Sequence, residues 1–398
     1  MMHALINGVL RNPFPVYSIL RRTAPVFRVP GREIWMLFDY ESVRRALHDP
    51  AVFSSRAAPP GGAPLDWMIF MDPPKHTKLR AIVMRTFTPR AIASLEPRVN
   101  RLAHELLDGA VGQGTMDLVA DFAAPLPLLV ISELLGVPAA DRVQLSRWSD
   151  AILHLSDTIA GGELAARAIA TYRTAKQEMQ PYIERQVAER RAIPRDDLLT
   201  RLASANVDGE SLSGEEILSF FQLLLLAGSE TTTHLISNAM LCFMAWPDQL
   251  ARLRGDRSLL PSAIEEVLRF RTPVQMAFRS TTSDVKIHRR VIPAGQLVLL
   301  MMTSANRDPR QFREAARFDI TRTPNPHIAF GHGVHFCIGS ALARLEATVA
   351  LTALLDRMDD VRHAGAWMPS TGWNVHGART LPIRFTATGS PPAPGDRS

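Results

Sequence analysis

The segment Phe330-Gly331-His332-Gly333-Val334-His335-Phe336-Cys337-Ile338-Gly339 runs directly into Ser340-Ala341-Leu342-Ala343-Arg344-Leu345-Glu346, which reads as a helix. Cys337 therefore stands at a helix entrance, where backbone N–H groups and the positive end of the helix dipole favour thiolate over thiol. A thiolate ligates metals. Gly331, Gly333 and Gly339 let the backbone turn sharply and approach a flat partner closely. The other cysteine, Cys242, falls in a long apolar stretch and reads as a core residue. The two lie 95 residues apart, so they build neither a disulfide framework nor a multi-cysteine zinc site. A zinc site made of His327, His332, His335 and Cys337 has suitable ligand types, but it accounts for none of the groups that follow.

Ala227-Gly228-Ser229-Glu230-Thr231-Thr232 places a glycine, an acid and consecutive β-branched residues inside an otherwise apolar helical run. Such a stretch weakens a helix locally, and a hydroxyl there can intercept a helix carbonyl, so a bulge or groove admitting a small ligand and water is expected. His76 and Arg80 are four apart behind Asp72-Pro73-Pro74, a helix-start signal, and share one helix face. Glu266 and Arg269 are spaced as an ordinary helical ion pair.

The elements that must position these groups are mostly helical. The clearest helix opens at Ser213 with a capping box to Glu216 and continues to Pro247, roughly 33 residues or ~50 Å. Its apolar character suits a helix that crosses the whole protein. A strand-like section spans Val26 to Phe38, and from Thr272 onward Val285 to Ile287, Gln296 to Met301 and Leu381 to Phe385 read as short strands. The class is mainly α with small β-sheets, α+β.

Composition narrows the function. Of 398 residues 46% are hydrophobic and 21% charged, which excludes wholesale disorder and a polytopic membrane protein. The net charge of +6 rests on arginine, with Lys75, Lys78, Lys176 and Lys286 the only lysines. These cations are dispersed and only 7% of residues are aromatic, so no nucleic-acid partner is expected; a solvated surface is the main reading, with a cationic docking face for an acidic protein partner as the alternative to keep. Met1 to Pro15 has neither the charged start nor the apolar length of a signal or anchor, so no membrane anchor is expected. Sparse cysteine usage suits a reducing cytoplasm.

Phe-Gly-x-Gly-x-His-x-Cys-x-Gly, as it stands at 330–339, resembles the haem-binding signature of the cytochrome P450 superfamily and matches it at every diagnostic position. The resemblance implies that Cys337 is the axial ligand of the iron of haem b, with Phe330 on the proximal face and Gly331 and Gly339 in the surrounding loop. It also implies His335, His76, Arg80 and Arg279 as propionate partners. Ala227 to Thr232 resembles the family's acid-alcohol pair: Glu230 relays protons, Thr231 holds oxygen and its water, and Ala227 and Gly228 lie beside the cofactor. Glu266, Arg269 and Arg317 resemble the family's buried structural Glu-x-x-Arg network. The likeness runs in order from about Asp72 to Phe385. It implies one triangular domain over residues 1–388, followed by a flexible Pro/Gly-rich tail at 389–398.

The activity so implied is monooxygenation, in which dioxygen is activated with two electrons and two protons and the substrate is hydroxylated or epoxidised. Electrons would come from NAD(P)H through a ferredoxin reductase and a ferredoxin, as in the soluble bacterial type, in a cytoplasmic monomer. A haem-thiolate gas sensor or carrier without turnover is the alternative, and it has no use for Glu230 and Thr231. By position the pocket is lined from Pro64 to Phe70, at Leu223, Leu226 and Ala227, from Val274 to Ala277, and at Asn374 and Val375. Trp67, Met68, Ile69 and Met276 offer adaptable apolar area, and Gln275 and Asn374 could orient a polar group. Plain core packing explains the same apolar stripe equally well. No cation sits among these positions, so an apolar small molecule such as a terpenoid, steroid, fatty acyl compound or polyketide is expected.

Overall fold

A computed structural model describes residues 11–56, 66–85, 87–155, 158, 162–207, 210–372 and 374–388. Pro64 and the 389–398 tail lie outside the described residues. The chain opens with α1 (Phe14–Thr23), the hairpin β1 (Val26–Arg28) and β2 (Ile34–Leu37), α2 (Tyr40–His48) and β3 (Phe53–Ser54). Helices α3 (Lys75–Met84), α4 (Pro89–Ala93) and α5 (Glu96–Asp108) lead to β4 (Thr115–Asp117), then α6 (Pro125–Leu135), α7 (Arg142–Leu153), α8 (Gly162–Ala192) and α9 (Leu198–Ala203). The short pair β5 (Asn206–Val207) and β6 (Glu210–Ser211) precedes α10 (Gly214–Ala245), α11 (Pro247–Gly255) and α12 (Leu260–Phe270). Strands β7 (Ala277–Thr281), β8 (Val285–Ile287), β9 (Arg290–Ile292) and β10 (Leu297–Leu300), α13 (Met302–Ala305) and α14 (Ser340–Arg357) follow. The chain closes with β11 (Met358–His363), β12 (Met368–Pro369), β13 (Ala378–Thr380) and β14 (Pro382–Ala387).

Helix α10 is the axis of this arrangement. Ser213 caps it by accepting from the Glu216 N–H while the Glu216 carboxylate accepts from the Ser213 N–H, the capping box expected from sequence. Its 32 residues give ~48 Å. A helix apolar on every side is stable only when surrounded, and Ile217 to Phe243 is largely buried against α6, α8, α12 and α14 in the main core. Pro247 ends it, since proline can open the next helix but cannot continue this one.

The largest sheet has the order β1-β2-β10-β7-β3. β10 runs parallel to β2 with Val298 opposite Trp35, and antiparallel to β7 with Val298 opposite Arg279. A second core of Trp35, Leu37, Phe53, Val298 and Leu300 lies on this sheet. Arg279 sits in the middle of β7, paired with Val298 of β10 on one side.

The buried ion pair follows the sequence at two positions and departs from it at the third. Glu266 and Arg269 are fully buried and bidentate, at 2.7 and 2.7 Å. Arg269 also donates to the carbonyls of Asn306, Ala315 and Arg317, so all five of its N–H groups are used. The arginine that completes the network is Arg322, whose Nε lies 3.1 Å from Glu266, and not Arg317. Arg317 contributes only its carbonyl, because its side chain points outward to Glu314.

A second buried acid has no such support. Glu346 on α14 is almost fully buried, with an Oε2 that has no partner among the described residues, and burial pushes its carboxyl well above the usual range. In the unfolded chain it ionises near ~4.3. The folded state therefore holds a proton that the unfolded state releases. Its stabilising contribution is complete below that value and is lost as pH rises toward the folded pKa, at up to about 1.4 kcal/mol per pH unit. Glu346→Gln should flatten the fall in melting temperature between about pH 5 and 8. An unchanged slope would mean that Glu346 is already ionised when folded.

Candidate active site at the Cys337 loop

The loop before α14 is shaped by its own backbone. The Cys337 N–H donates to the Phe330 carbonyl at 2.9 Å, and Gly331 and Gly333 take φ of 74° and 72°. Gly333 is fixed twice over, since a Cβ there would fall 2.8 Å from the Leu47 carbonyl oxygen; the loop lies directly on the end of α2. Gly339 has ordinary φ, and the nearest atom to a Cβ there is the Cys337 sulfur at 3.9 Å, so its missing side chain keeps the space beside the sulfur clear.

Cys337 keeps an exposed surface on one side while protein crowds the sulfur elsewhere. The expected net lowering of its pKa is not found. Burial pushes the thiol up, and the N–H groups of Gly339 and Ser340, with Arg80 and Arg344, offset that only partly. A cation at the sulfur is what completes the change to thiolate. Cys242 is buried and its thiol is pushed up to about 12, an inert core residue as expected.

Phe330 lies under the Arg344 guanidinium at 4.5 Å, and Arg344 is clamped to Glu265 at 2.6 and 2.8 Å. Burial raises the Glu265 carboxyl, but hydrogen bonds from Arg344 and His327 outweigh it and bring it to about 2. His327 is thereby committed to Glu265, His332 packs on His48, and His335 packs on His76. The rival zinc set is dispersed, and no group of potential metal ligands assembles among the described residues.

On the other side of Cys337 four basic side chains converge, two arginines and two histidines. His76 and Arg80 share one face of α3, Arg279 comes from β7, and the His335 ring stands 4.0 Å from that of His76. Arg80 donates to the Phe336 carbonyl at 2.7 Å, and His335 Nε2 meets Ser55 Oγ at 2.9 Å. Burial, then His76, Arg279 and Arg80, drive the His335 pKa down to about 3. Burial brings Arg279 down to about 10, against the pull of Asp72. Asp72 is the acid that offsets both His76 and Arg279, and it already accepts from Ser54 and Ser55. Sequence reading missed Ser55, Asp72 and Arg344, whose roles arise only from contacts between distant segments.

Helix α10 presents the acid and the alcohol without the expected bulge. It is unbroken, because Thr231 Oγ donates to the Ala227 carbonyl at 2.7 Å and Thr233 does the same to Ser229 at 3.0 Å. The hydroxyls satisfy carbonyls alongside the helix and do not open it. Ala227 is exposed, Glu230 and Thr231 are half-buried, and Thr232 is buried as a structural residue. Gly228, expected beside the cofactor, instead faces α6, since a Cβ there would fall 2.5 Å from Ile131; its role is helix packing.

The expected pocket residues divide. Ile69 is exposed, and Leu226, Ala227 and Asn374 keep open surface. Trp67, Met68, Leu223 and Val375 are buried. Met276 belongs to a small core with Phe38 and Met301. Gln275 accepts from Tyr17 and donates to the Val375 carbonyl, so its amide is already tied to two neighbours.

These residues fit a haem. A single carboxylate, Asp72, stands against Arg80 and Arg279, and His76 Nδ1 is buried without a partner among the described residues, so the cluster has room for negative charge and for a hydrogen-bond acceptor. A flat group that carries two carboxylates and a metal for Cys337 supplies both. The comparisons agree. The family model described as Cytochrome P450 matches residues 16–359. A putative cytochrome P450, YjiB of Bacillus subtilis, is 42% identical over 89% of this chain and 90% of its own length. A vitamin D(3) 25-hydroxylase of Pseudonocardia autotrophica is 41% identical over 88% of each. The crystal structure of CYP109E1 from Bacillus megaterium in complex with testosterone superposes with a TM-score of 0.86 at 38% identity, covering 94% of this chain and 99% of that one. With the cysteine loop, the basic cluster and these matches over most of its length, the chain belongs to the cytochrome P450 family of haem-thiolate monooxygenases.

Proposed function

We propose that the enzyme hydroxylates or epoxidises a medium-sized apolar molecule of the steroid, terpenoid, fatty acyl or polyketide kind, using haem b with Cys337 as axial ligand. The observation that carries the cofactor placement is the convergence of His76, Arg80, Arg279 and His335 beside Cys337, a basic cluster with Asp72 as its offsetting acid and an unpartnered His76 Nδ1. When bound, the haem supplies reductive activation of dioxygen, and a thiolate ligand favours O–O cleavage. Phe330 and Arg344 back the loop, and Gly333 seats it on α2.

The open side chains of Ile69, Leu226 and Ala227 carry no charge, which suits an apolar substrate. One relative hydroxylates vitamin D(3) and another was crystallised with testosterone, and both names support that class. Among the described residues no helix is long and apolar enough to cross a membrane. Electrons come from NAD(P)H through a ferredoxin and its reductase in the cytoplasm. Lys75 and Lys78 on α3 and Arg45 and His48 on α2 are exposed on elements that flank the Cys337 loop, a cationic face for an acidic carrier. A steroid such as testosterone should convert the ferric holoenzyme from low to high spin in a saturable optical titration. If no member of the four classes does so, the substrate assignment fails.

Glu230 and Thr231 handle protons. Glu230 stands half-buried in the middle of α10 and relays protons, and the Thr231 hydroxyl, donating to Ala227 at rest, can turn to pass one on. Thr231→Ala should lower product formation by about 10²-fold, the lower end for a positioned proton donor, while electron consumption changes far less. Measuring NAD(P)H consumed, product and hydrogen peroxide together checks this; unchanged coupling would remove the assignment.

A further inference from the structure

Beyond Glu230, α10 carries a second polar stripe that the reaction as described leaves unused: His234 and Asn238 follow Glu230 at i+4 and i+8. His234 is 4% exposed, and its Nε2 lies 3.6 Å from Glu230 Oε1, just outside hydrogen-bond reach. On the far side of the ring, a Cβ on Gly377 would fall 2.3 Å from Nδ1, so the residue after His376 lies directly against the imidazole. His376 is 2% exposed. Asn238 ties the assembly together, donating to the carbonyls of His376 and Arg271 and accepting from Arg271 Nε.

This column concentrates unmet hydrogen bonding. Of thirteen buried polar side-chain atoms without a partner among the described residues, six belong to it: both nitrogens of His234, both of His376, Nη2 of Arg271 and Nε of Arg11. Buried donors and acceptors are rarely left alone, and where several face one another ordered water bridges them. Arg271 and Arg11 are half-buried, so the column reaches toward the surface at that end. The Arg11 backbone also approaches His376 without closing a good hydrogen bond.

We propose that this column, running from the surface at Arg271 and Arg11 through water, His376 and His234 to Glu230, is the route by which protons enter the active site. The proposal rests on the reading of Glu230 as the proton-donating acid. Each step is balanced: one nitrogen of His376 takes a proton from the water on its surface side while the other gives one to the water between the rings. That water protonates His234, and His234 Nε2 passes its proton to the Glu230 carboxylate. Each water is reprotonated from the solvent side, both imidazoles end neutral, and no electron moves. Burial first, then Arg271, holds the His376 pKa well below its ordinary value, with His234 and Arg307 acting in the same sense. A neutral imidazole keeps one donor and one acceptor, as relay requires. Arg307 is stacked between Phe14 and Phe270, and the nearby Arg269 is matched by Glu266; as guanidinium donors without an acceptor, neither competes with the imidazoles for a proton.

The test uses the holoenzyme. His376→Leu touches neither Glu230 nor the Cys337 loop, and should lower the fraction of electrons that reach product by about 10²-fold and raise the solvent deuterium isotope effect. His234→Leu should do the same, and neither should add to Glu230→Gln, while His376→Gln restores part of the loss. Coupling and isotope effect left unchanged in both leucine variants, with full carbon-monoxide-binding haem content, would overturn the route while leaving the monooxygenase assignment intact. A readout independent of turnover, and of how the variants fold, is a high-resolution crystal structure of the wild-type holoprotein. Ordered water joining the rings of His234 and His376 is expected, and a dry gap would overturn the proposal.

Discussion

Cys337→Ala should yield a protein that folds but loses the thiolate-type spectrum and more than about 100-fold of its activity, beyond the 10–100-fold typical when only a partner of a metal ligand is removed. The reasoning is local. The N–H groups of Gly339 and Ser340 point at the sulfur, Arg80 and Arg344 add positive charge, and Gly339 keeps its flank free. None of this structure serves a methyl group. Because the loop is held by the Cys337 N–H to Phe330, by Gly333 on α2 and by Arg344 on Phe330, it should survive the substitution. Pigment content, the reduced carbon-monoxide spectrum and product formation measured on one preparation check the prediction; an unaltered spectrum would refute the ligand assignment.

Arg269→Met should be the most destabilising change away from the haem. It strands the Glu266 carboxylate at zero exposure with Arg322 as its remaining cation, and frees the carbonyls of Asn306, Ala315 and Arg317. Breaking a buried pair in this way costs about 3–5 kcal/mol, a large part of the roughly 5–15 kcal/mol that holds a domain together. Loss of the haem-containing fold during expression, or a denaturant midpoint lowered by that amount, is the expected result. Arg322→Ala should weaken the same network, whereas Arg317→Ala should stay within about 0.5 kcal/mol because its side chain is exposed. Equal effects at 317 and 322 would contradict the network as described.

That pair of arginines shows where sequence stops being legible. Ala316-Arg317-Phe318 offers an arginine at the expected place, but the direction of its side chain depends on how the loop after α13 turns. That turn sends Arg322 inward and Arg317 out. The cysteine loop, the capping box of α10 and the His76–Arg80 pair were readable because each rests on spacing within one element. The surroundings of Gly228, Gln275 and Met276 were not readable for the converse reason: the approach of Ile131, the bonds to Tyr17 and Val375, and a core shared with Phe38 all come from segments remote in sequence. The Cys337 pKa was misjudged because a helix entrance is visible in sequence and burial is not; burial is the larger effect. His234 drew no attention, since one histidine on an apolar helix reads as core until Gly377 and His376 are seen against it.

The absorption spectrum of the purified protein, reduced and exposed to carbon monoxide, tests the central claim most directly. A Soret band strongly displaced to long wavelength, as thiolate-ligated haem gives, is the result expected from Cys337 with His76, Arg80, Arg279 and His335 around it. A colourless protein, or a carbon-monoxide complex with the unshifted band of histidine-ligated haem, would contradict it.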